Sequence, residues 1–345
     1  MPAATRSWFG DLPIWVWPAL ALSLLVGAVV GIEAWQDGPD VFLRPENLRN
    51  VLNQQSYVGI VAVGMTLVIV VGGIDLSVGS LVAACGVACV LVAEKAAPAA
   101  GDSAATLLGF ATALAAGTLA GVLHGVLVAK GKVAAFVVTL GGLAAYRSAA
   151  LTLADSGEVR YTGGPAFGLP ANGGVPVPGT DLAPRVEAVV PLVIYWPILI
   201  FLLVAVVFAV ILGRTRLGRY AVAVGSNERA ARYGALPVAR VKVAAFALLG
   251  LLTGLAAALS ASRTGSVSSG GTGQLLELDA IAAVVIGGTR LSGGRGTIVG
   301  TVLGVLILGV IGNMLTLLDV EASLQGLVKG AVIVLAVLAG RSRDG

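Results

Sequence analysis

Ten stretches of this 345-residue chain stay apolar for long enough to limit what it can fold into: 14–34, 57–74, 78–93, 105–129, 133–153, 190–212, 243–261, 279–289, 297–318 and 324–339. A helix crossing the roughly 30 Å hydrocarbon layer needs about 20 such residues. Only helices and closed barrels satisfy every backbone polar group there. The pattern predicts an all-α polytopic integral membrane protein with about ten spans. The range is eight to ten, because 78–93 and 279–289 are short. The second of these runs into Gly-rich sequence and reads as a half-span or re-entrant piece. Composition agrees: 57% of residues are hydrophobic and 12% charged. Soluble domains carry about 25% charge, so this chain could not build a water-facing surface. The stretch 14–34 exceeds a signal-peptide core of roughly 7–15 residues and reads as a retained helix.

Orientation follows from Lys and Arg, which accumulate in cytoplasmic loops. With the N-terminus inside and strict alternation, inner segments hold Arg6, Lys130, Lys132, Arg214, Arg216, Arg219, Arg229, Arg232, Arg240, Lys242, Arg290, Arg295, Arg341 and Arg343. The outer segments hold only Arg44, Arg49, Lys95, Arg160, Arg185 and Arg263. Residues 1–13 are then a cytoplasmic tail, both termini lie inside, 155–189 lies outside and 213–243 inside. The net charge of +4 reflects orientation in a bilayer, not nucleic-acid binding.

Catalytic chemistry finds little to work with. Cys85 and Cys89 sit one helical turn apart at lipid depth and read as small apolar side chains. With the single His124 they fall short of a four-ligand zinc site. The chain has no GxxxxGK[ST] phosphate loop and no legible set of nucleophile, base and orienting group. It is read as a non-catalytic subunit with no cofactor of its own. Ion-coupled transport would use ionisable groups near mid-membrane, and Asp75, His124, Arg147 and Lys329 are the candidates. His124 and Lys329 read as residues snorkelling to an interface. Arg147 stays charged and is a poor proton carrier.

Two polar segments stand out. Residues 155–189 carry seven Gly and five Pro, too many breakers for regular secondary structure; the segment is either a connector or a docking surface. Residues 213–243 hold seven basic residues and a short helix, capped by Ser226 or Asn227, starting at Glu228 and ending at Gly234 ahead of Pro237. A helix ending at Gly234 calls for the left-handed conformation there. Elsewhere, GTLAGVLHG (117–125) and GTIVGTVLG (296–304) each place three glycines on one helix face, which lets helices approach closely in lipid. VVGGIDLSVGS (70–80) also echoes VIGGTRLSGGR (285–295).

The stretch GGIDLSVGS (72–80) puts Asp75 between two apolar runs. Gly72, Gly73 and Gly79 permit a tight turn, and the carboxylate with Ser77 can cap the following helix. A role in relaying movement or contacting cargo is the other reading.

These residues carry a family likeness. NLRNVLNQQSYVGIVAVGMTLVIVVGGIDLSVGS (47–80), VGSNERAARYGALPVARVKVAAFALLGLLTGLAAAL (224–259) and LDAIAAVVIGGTRLSGGRGTIVGTVLGVLILGVIGN (278–313) resemble, in order, the permease subunits of bacterial ABC importers for ribose, xylose, arabinose and related sugars. The resemblance implies one transmembrane domain over 1–345, with a fold like the cobalamin-importer class. It implies a homodimer in the cytoplasmic (inner) membrane, a separate ATPase that binds the ATP, and an extracytoplasmic sugar-binding protein. Glu228, Arg229, Ala230, Ala231 and Gly234 would lie at the ATPase contact. Asn53, Gln54, Gln55, Thr139 and Asn313 are candidates to line the sugar pathway. Branched-chain amino-acid permeases are more distant cousins, and the sugar is not readable from this chain.

Overall fold

The computed structural model describes residues 13, 15–35, 41–182, 190–321, 324–328, 330, 331 and 334. Among the described residues, eight helices are long and apolar enough to cross a membrane: α1 (Val16–Trp35), α2 (Pro45–Val70), α3 (Val78–Ala100), α4 (Asp102–Ala129), α5 (Ala135–Leu153), α7 (Trp196–Arg214), α10 (Val238–Thr264) and α12 (Ile298–Leu317). Between them lie the shorter α6 (Leu169–Asn172), α8 (Arg216–Ser226), α9 (Glu228–Tyr233) and α11 (Leu276–Ile286). The protein is a multi-pass, essentially all-α membrane protein. The expected tenth span is helical over 324–328; Lys329, residues 335–345 and the 1–12 tail lie outside the described residues.

The core is built on close approach of small residues. α4 packs antiparallel on α10, and a Cβ at Gly117 would meet the Gly250 carbonyl oxygen, at Gly121 that of Phe246, and at Gly125 the Val243 Cα at 2.6 Å. The second glycine face does the same for α12 on α11: Gly300 lies against Gly287 and Gly304 against the Ala283 carbonyl. Both faces are used inside one chain. In lipid no hydrophobic drive separates helix from solvent, so such backbone-to-backbone fits supply the association.

α2 begins at Pro45, well ahead of the apolar run that starts at 57. Its polar first turns stay helical because their amides find partners: Asn47 and Asn313 exchange two hydrogen bonds, at 2.9 and 3.0 Å. The expectation that 155–189 lacks regular structure is also corrected. β1 (Glu158–Arg160) pairs antiparallel with β4 (Ser266–Ser268), a 3-10 turn covers Pro165–Gly168, and β2 (Gly174–Leu182) pairs with β3 (Val190–Tyr195). Prolines do not prevent the β2–β3 ladder; they leave it irregular between Pro176 and Asp181, since proline offers no N–H.

Loops sort to two ends. The turn after α2, the α8–α9 segment and the 287–297 loop meet at one end, with Arg219, Arg229, Arg232, Arg240, Lys242, Arg290 and Arg295 on these segments or next to them. This is the basic end. The α3–α4 junction, β1, the 165–172 turn and β4 meet at the far end.

Candidate functional site

Two features at and near the basic end bring sequence-distant polar groups together. The first surrounds Asp75. α2 ends in a turn at Gly72, whose φ of +88° is left-handed and suits glycine. The chain then runs extended back into the bundle before α3 begins. There Asp75, 2% exposed, accepts hydrogen bonds on Oδ1 from the Ser77 N–H (2.8 Å) and the Ser77 hydroxyl (2.6 Å). Its Oδ2 lies 3.2 Å from His124 Nδ1. His124 Nε2 lies 3.0 Å from the Tyr146 hydroxyl. Both histidine contacts are satisfied together when Nδ1 carries the proton and Nε2 accepts from tyrosine. Ser80 donates to the Ser77 carbonyl at 2.8 Å, and Thr139 to that of Ile74 at 3.2 Å. α5 can come this close because it carries Gly142, where a Cβ would meet His124 Nε2 at 2.6 Å.

This arrangement corrects two readings. Ser77 itself is the N-cap residue of α3 and makes no side-chain cap bond, so Asp75 fastens the turn before the helix and leaves the first-turn N–H groups alone. His124 does not snorkel: it is 2% exposed, held between a carboxylate and a phenol. The sequence signals for this network were weak, because Asp75, His124 and Tyr146 come from three different helices or turns. The other motif glycines fit close neighbours: Gly73 faces the Phe246 ring at 3.1 Å, and Gly79 presses on the Gly273 carbonyl.

The second feature is the α8–α9 segment. α8, which the sequence reading missed, buries Gly218, Ala221 and Val224. α9 is capped by Asn227, whose side chain accepts from the Ala230 N–H at 3.0 Å. Glu228 bonds Arg232 Nη2 (2.5 Å) and Lys242 Nζ (2.7 Å), which ties α9 to the start of α10. Partial burial pushes the Glu228 carboxyl up, but the hydrogen bonds and charges of Lys242 and Arg232 outweigh this and hold it below the ordinary carboxylate value. Ala231 is buried at 6%. The exposed residues of α9 are Arg229, Ala230, Arg232 and, above all, Tyr233 at 92% exposure. Tyr233 was missed; with Ala231 facing in, a helical period of 3.6 puts Tyr233 on the opposite face.

Gly234 is also corrected. Its φ is −74°, and the left-handed residue is Ala235, at +56°. A Cβ at Gly234 would have ordinary contacts of 3.5 and 3.6 Å. The helix closes one residue later, in a Schellman turn: the Ala235 N–H donates to the Arg232 carbonyl at 3.1 Å and the Leu236 N–H to the Ala231 carbonyl at 3.0 Å.

The candidate pathway residues do not converge. Thr139 belongs to the Asp75 region and Asn313 is taken by Asn47. Gln55 lies against Gly309 and Gln54 is exposed. Asn53 is 6% exposed, and its Oδ1 has no hydrogen-bond partner among the described residues. Arg147 reaches a different place: its Nη1 donates to the carbonyls of Ser269 (2.7 Å), Gly270 (3.3 Å) and Thr272 (3.0 Å).

The sequence model of the family described as branched-chain amino acid transport system, permease component, matches residues 47–337. The ribose import permease protein RbsC of Escherichia coli strain K12 is 42% identical over 304 residues, 88% of each chain. RbsC of Bacillus subtilis strain 168 is 41% identical over 308 residues, 88% of this chain and 87% of that one. The L-arabinose ABC transporter permease protein AraH of Azospirillum brasilense is 35% identical over 300 residues, 87% of this chain and 81% of its own. The chain belongs to the permease family of ABC sugar importers. No solved structure matches it. In the permease, the two features sit on the matched span: the Asp75 network inside the helices, and α8–α9 at the basic end.

Proposed function

We propose that this permease is the membrane-spanning subunit of an ATP-driven importer that carries a monosaccharide, a pentose first among candidates, across the cytoplasmic membrane. It works as a homodimer, with ATP bound and hydrolysed by a separate ATPase at the basic end, which faces the cytoplasm. A sugar-binding protein delivers cargo to the far end. The observation that carries the reading is α9: a capped helix of six residues that presents Arg229, Ala230 and the nearly fully exposed Tyr233 while Glu228 fixes it to α10. A large aromatic beside arginine is the composition of an interface anchor. Of the five contact residues expected from sequence, Arg229 and Ala230 belong to this docking face, whereas Glu228 and Ala231 support it from behind.

The substrate class rests on the ribose and arabinose permeases at 35–42% identity. A branched-chain amino acid is the second reading, favoured by the family description. Reconstituting the permease with its ATPase and binding protein in liposomes tests both. Uptake of a pentose with sugar-stimulated ATP turnover is expected, and Tyr233→Ala should cut that stimulation at least tenfold while the permease stays folded. Uptake driven by an ion gradient without the ATPase, or uptake of leucine and no sugar, would overturn the proposal. A cysteine at the exposed Leu169 should label only from outside.

A further inference from the structure

Two helices of the permease start part-way along the membrane domain rather than at either of its two ends. α3 begins at Val78 after the extended stretch 73–77, and α11 at Leu276 after irregular backbone over 269–275. α11 has 11 residues and rises about 16 Å, near half of a ~30 Å hydrocarbon layer. The two starts touch, because a Cβ on either Gly79 or Gly273 would fall on the other's carbonyl oxygen. Non-helical backbone at this depth is tolerated only where protein buries it or where it lines a cavity. Here it does line one: a cavity of about 300 Å³ bounded by Gly273, Gln274 and Leu275 of that stretch together with Ser80, Leu143, Arg147 and Glu277. That volume is at the lower end of small-molecule sites, which run from about 300 to 1,000 Å³. Helices interrupted at half depth are where transporters place cargo.

The lining says what kind of cargo fits. Arg147 and Glu277 bring opposite charges to the same lining, so neither an anion nor a cation gains from the two together. A neutral molecule rich in hydroxyls gains from both. Arg147 commits Nη1 to the three carbonyls of the descending segment, which leaves its Nε and Nη2 hydrogens as donors. Glu277 offers acceptors, the Gln274 amide offers both, and Leu143 and Leu275 offer apolar surface to C–H faces. The described lining has no aromatic platform, which suits passage, since a transit site must release what it binds.

We infer that this cavity is a transit site for a neutral polyhydroxylated cargo; the inference rests on the sugar-importer reading above. The test uses the whole transporter in liposomes with ribose and arabinose as probes. Leu143→Trp, which fills the cavity, should lower uptake at least tenfold. Gln274→Ala should raise the half-saturating sugar concentration or lower uptake about five- to tenfold. Both variants should still co-purify with the ATPase. Gln274 is exposed, so its result decides if the tryptophan variant does not fold. Wild-type uptake of sugar with both variants equally active would overturn the cavity's role. Wild-type liposomes that take up no sugar at all would instead overturn the reading on which it rests.

Discussion

At the basic end, three loops meet chiefly through backbone. The Gly294 N–H donates to the Val70 carbonyl at 2.9 Å, Gly225 lies against that same carbonyl, and a Cβ on Gly293 would meet the Gly72 Cα at 3.1 Å. At the far end the β1–β4 ladder joins two loops to each other, but side chains tie them to α3 and α4. Asp102 accepts from the Tyr161 hydroxyl and the Ala166 N–H, each at 2.7 Å, and Glu94 accepts from the Thr162 N–H at 2.7 Å. A contact between backbones has no rotamers to absorb a displacement, so a shift of α8 carries the ends of α2 and α12 with it. A carboxylate tie can open and exchange its partners for water. One end is suited to transmit movement and the other to hold a cover that loosens.

The largest effect is expected from Asp75→Ala. It strips the Ser77 N–H and His124 of their buried partner, and each unsatisfied group costs about 1–3 kcal/mol. Thermal unfolding in detergent should show a loss of roughly 2–5 kcal/mol, with Asp75→Asn milder because its amide oxygen still accepts from Ser77. Wild-type stability in Asp75→Ala with transport abolished would make Asp75 a moving part instead of a fastening.

Gly225→Ala comes next. The new methyl would fall on the Val70 carbonyl and within 2.6 Å of the Gly294 nitrogen, and overpacking of this kind costs about 1–3 kcal/mol. Transport should fall while Gly213→Ala, with nothing within 4 Å of its Cβ, changes neither transport nor stability. Equal behaviour of the two would dissolve the contrast between the ends.

At the far end, Asp102→Asn keeps one acceptor and weakens two charge-assisted hydrogen bonds, for about 1–2 kcal/mol. Stability should drop modestly with uptake largely retained. Uncoupling of ATP hydrolysis from uptake in this variant would show that the far end transmits as well.

How far the sequence reached follows from where the deciding contacts lie. An apolar run announces a span without reference to any other part of the chain, and the Asn227 cap involves only residues 227–230, so both were legible. Asp75 was legible as unusual, but its partners His124 and Tyr146 sit on other helices, and nothing local names them. Glu228 looked like an interface residue because Lys242, 14 positions on, cannot be assigned to it before α10 is placed. Asn313 looked free to line a pathway until α2 was seen to bring Asn47 beside it. The left-handed residue fell at Ala235, one past the Gly234 cap, because α9 closes with bonds from Ala235 and Leu236 back to Arg232 and Ala231, and the sequence does not say at which residue the helix stops.

The smallest effect concerns Glu228, and it asks whether the basic end can be loosened without touching its backbone contacts. Lys242 and Arg232 hold this carboxyl below its ordinary value of 4.5 despite partial burial. A carboxyl depressed on folding contributes stability above its unfolded pKa, and that contribution is lost as pH falls through the folded value. The α9–α10 tie is therefore intact at neutral pH and weakens only in acid, below 4.5. The Glu228 side chain is 37% exposed, so solvent screening limits the effect to about 1 kcal/mol or less. A spin label on Ala230→Cys, which faces solvent, should gain mobility as the sample is acidified through that range. In a Glu228→Gln background the label should be mobile at neutral pH and insensitive to acid. An identical acid response in both backgrounds would place the loosening elsewhere, in the backbone junction at Gly225, and the basic end would then depend on its glycines alone.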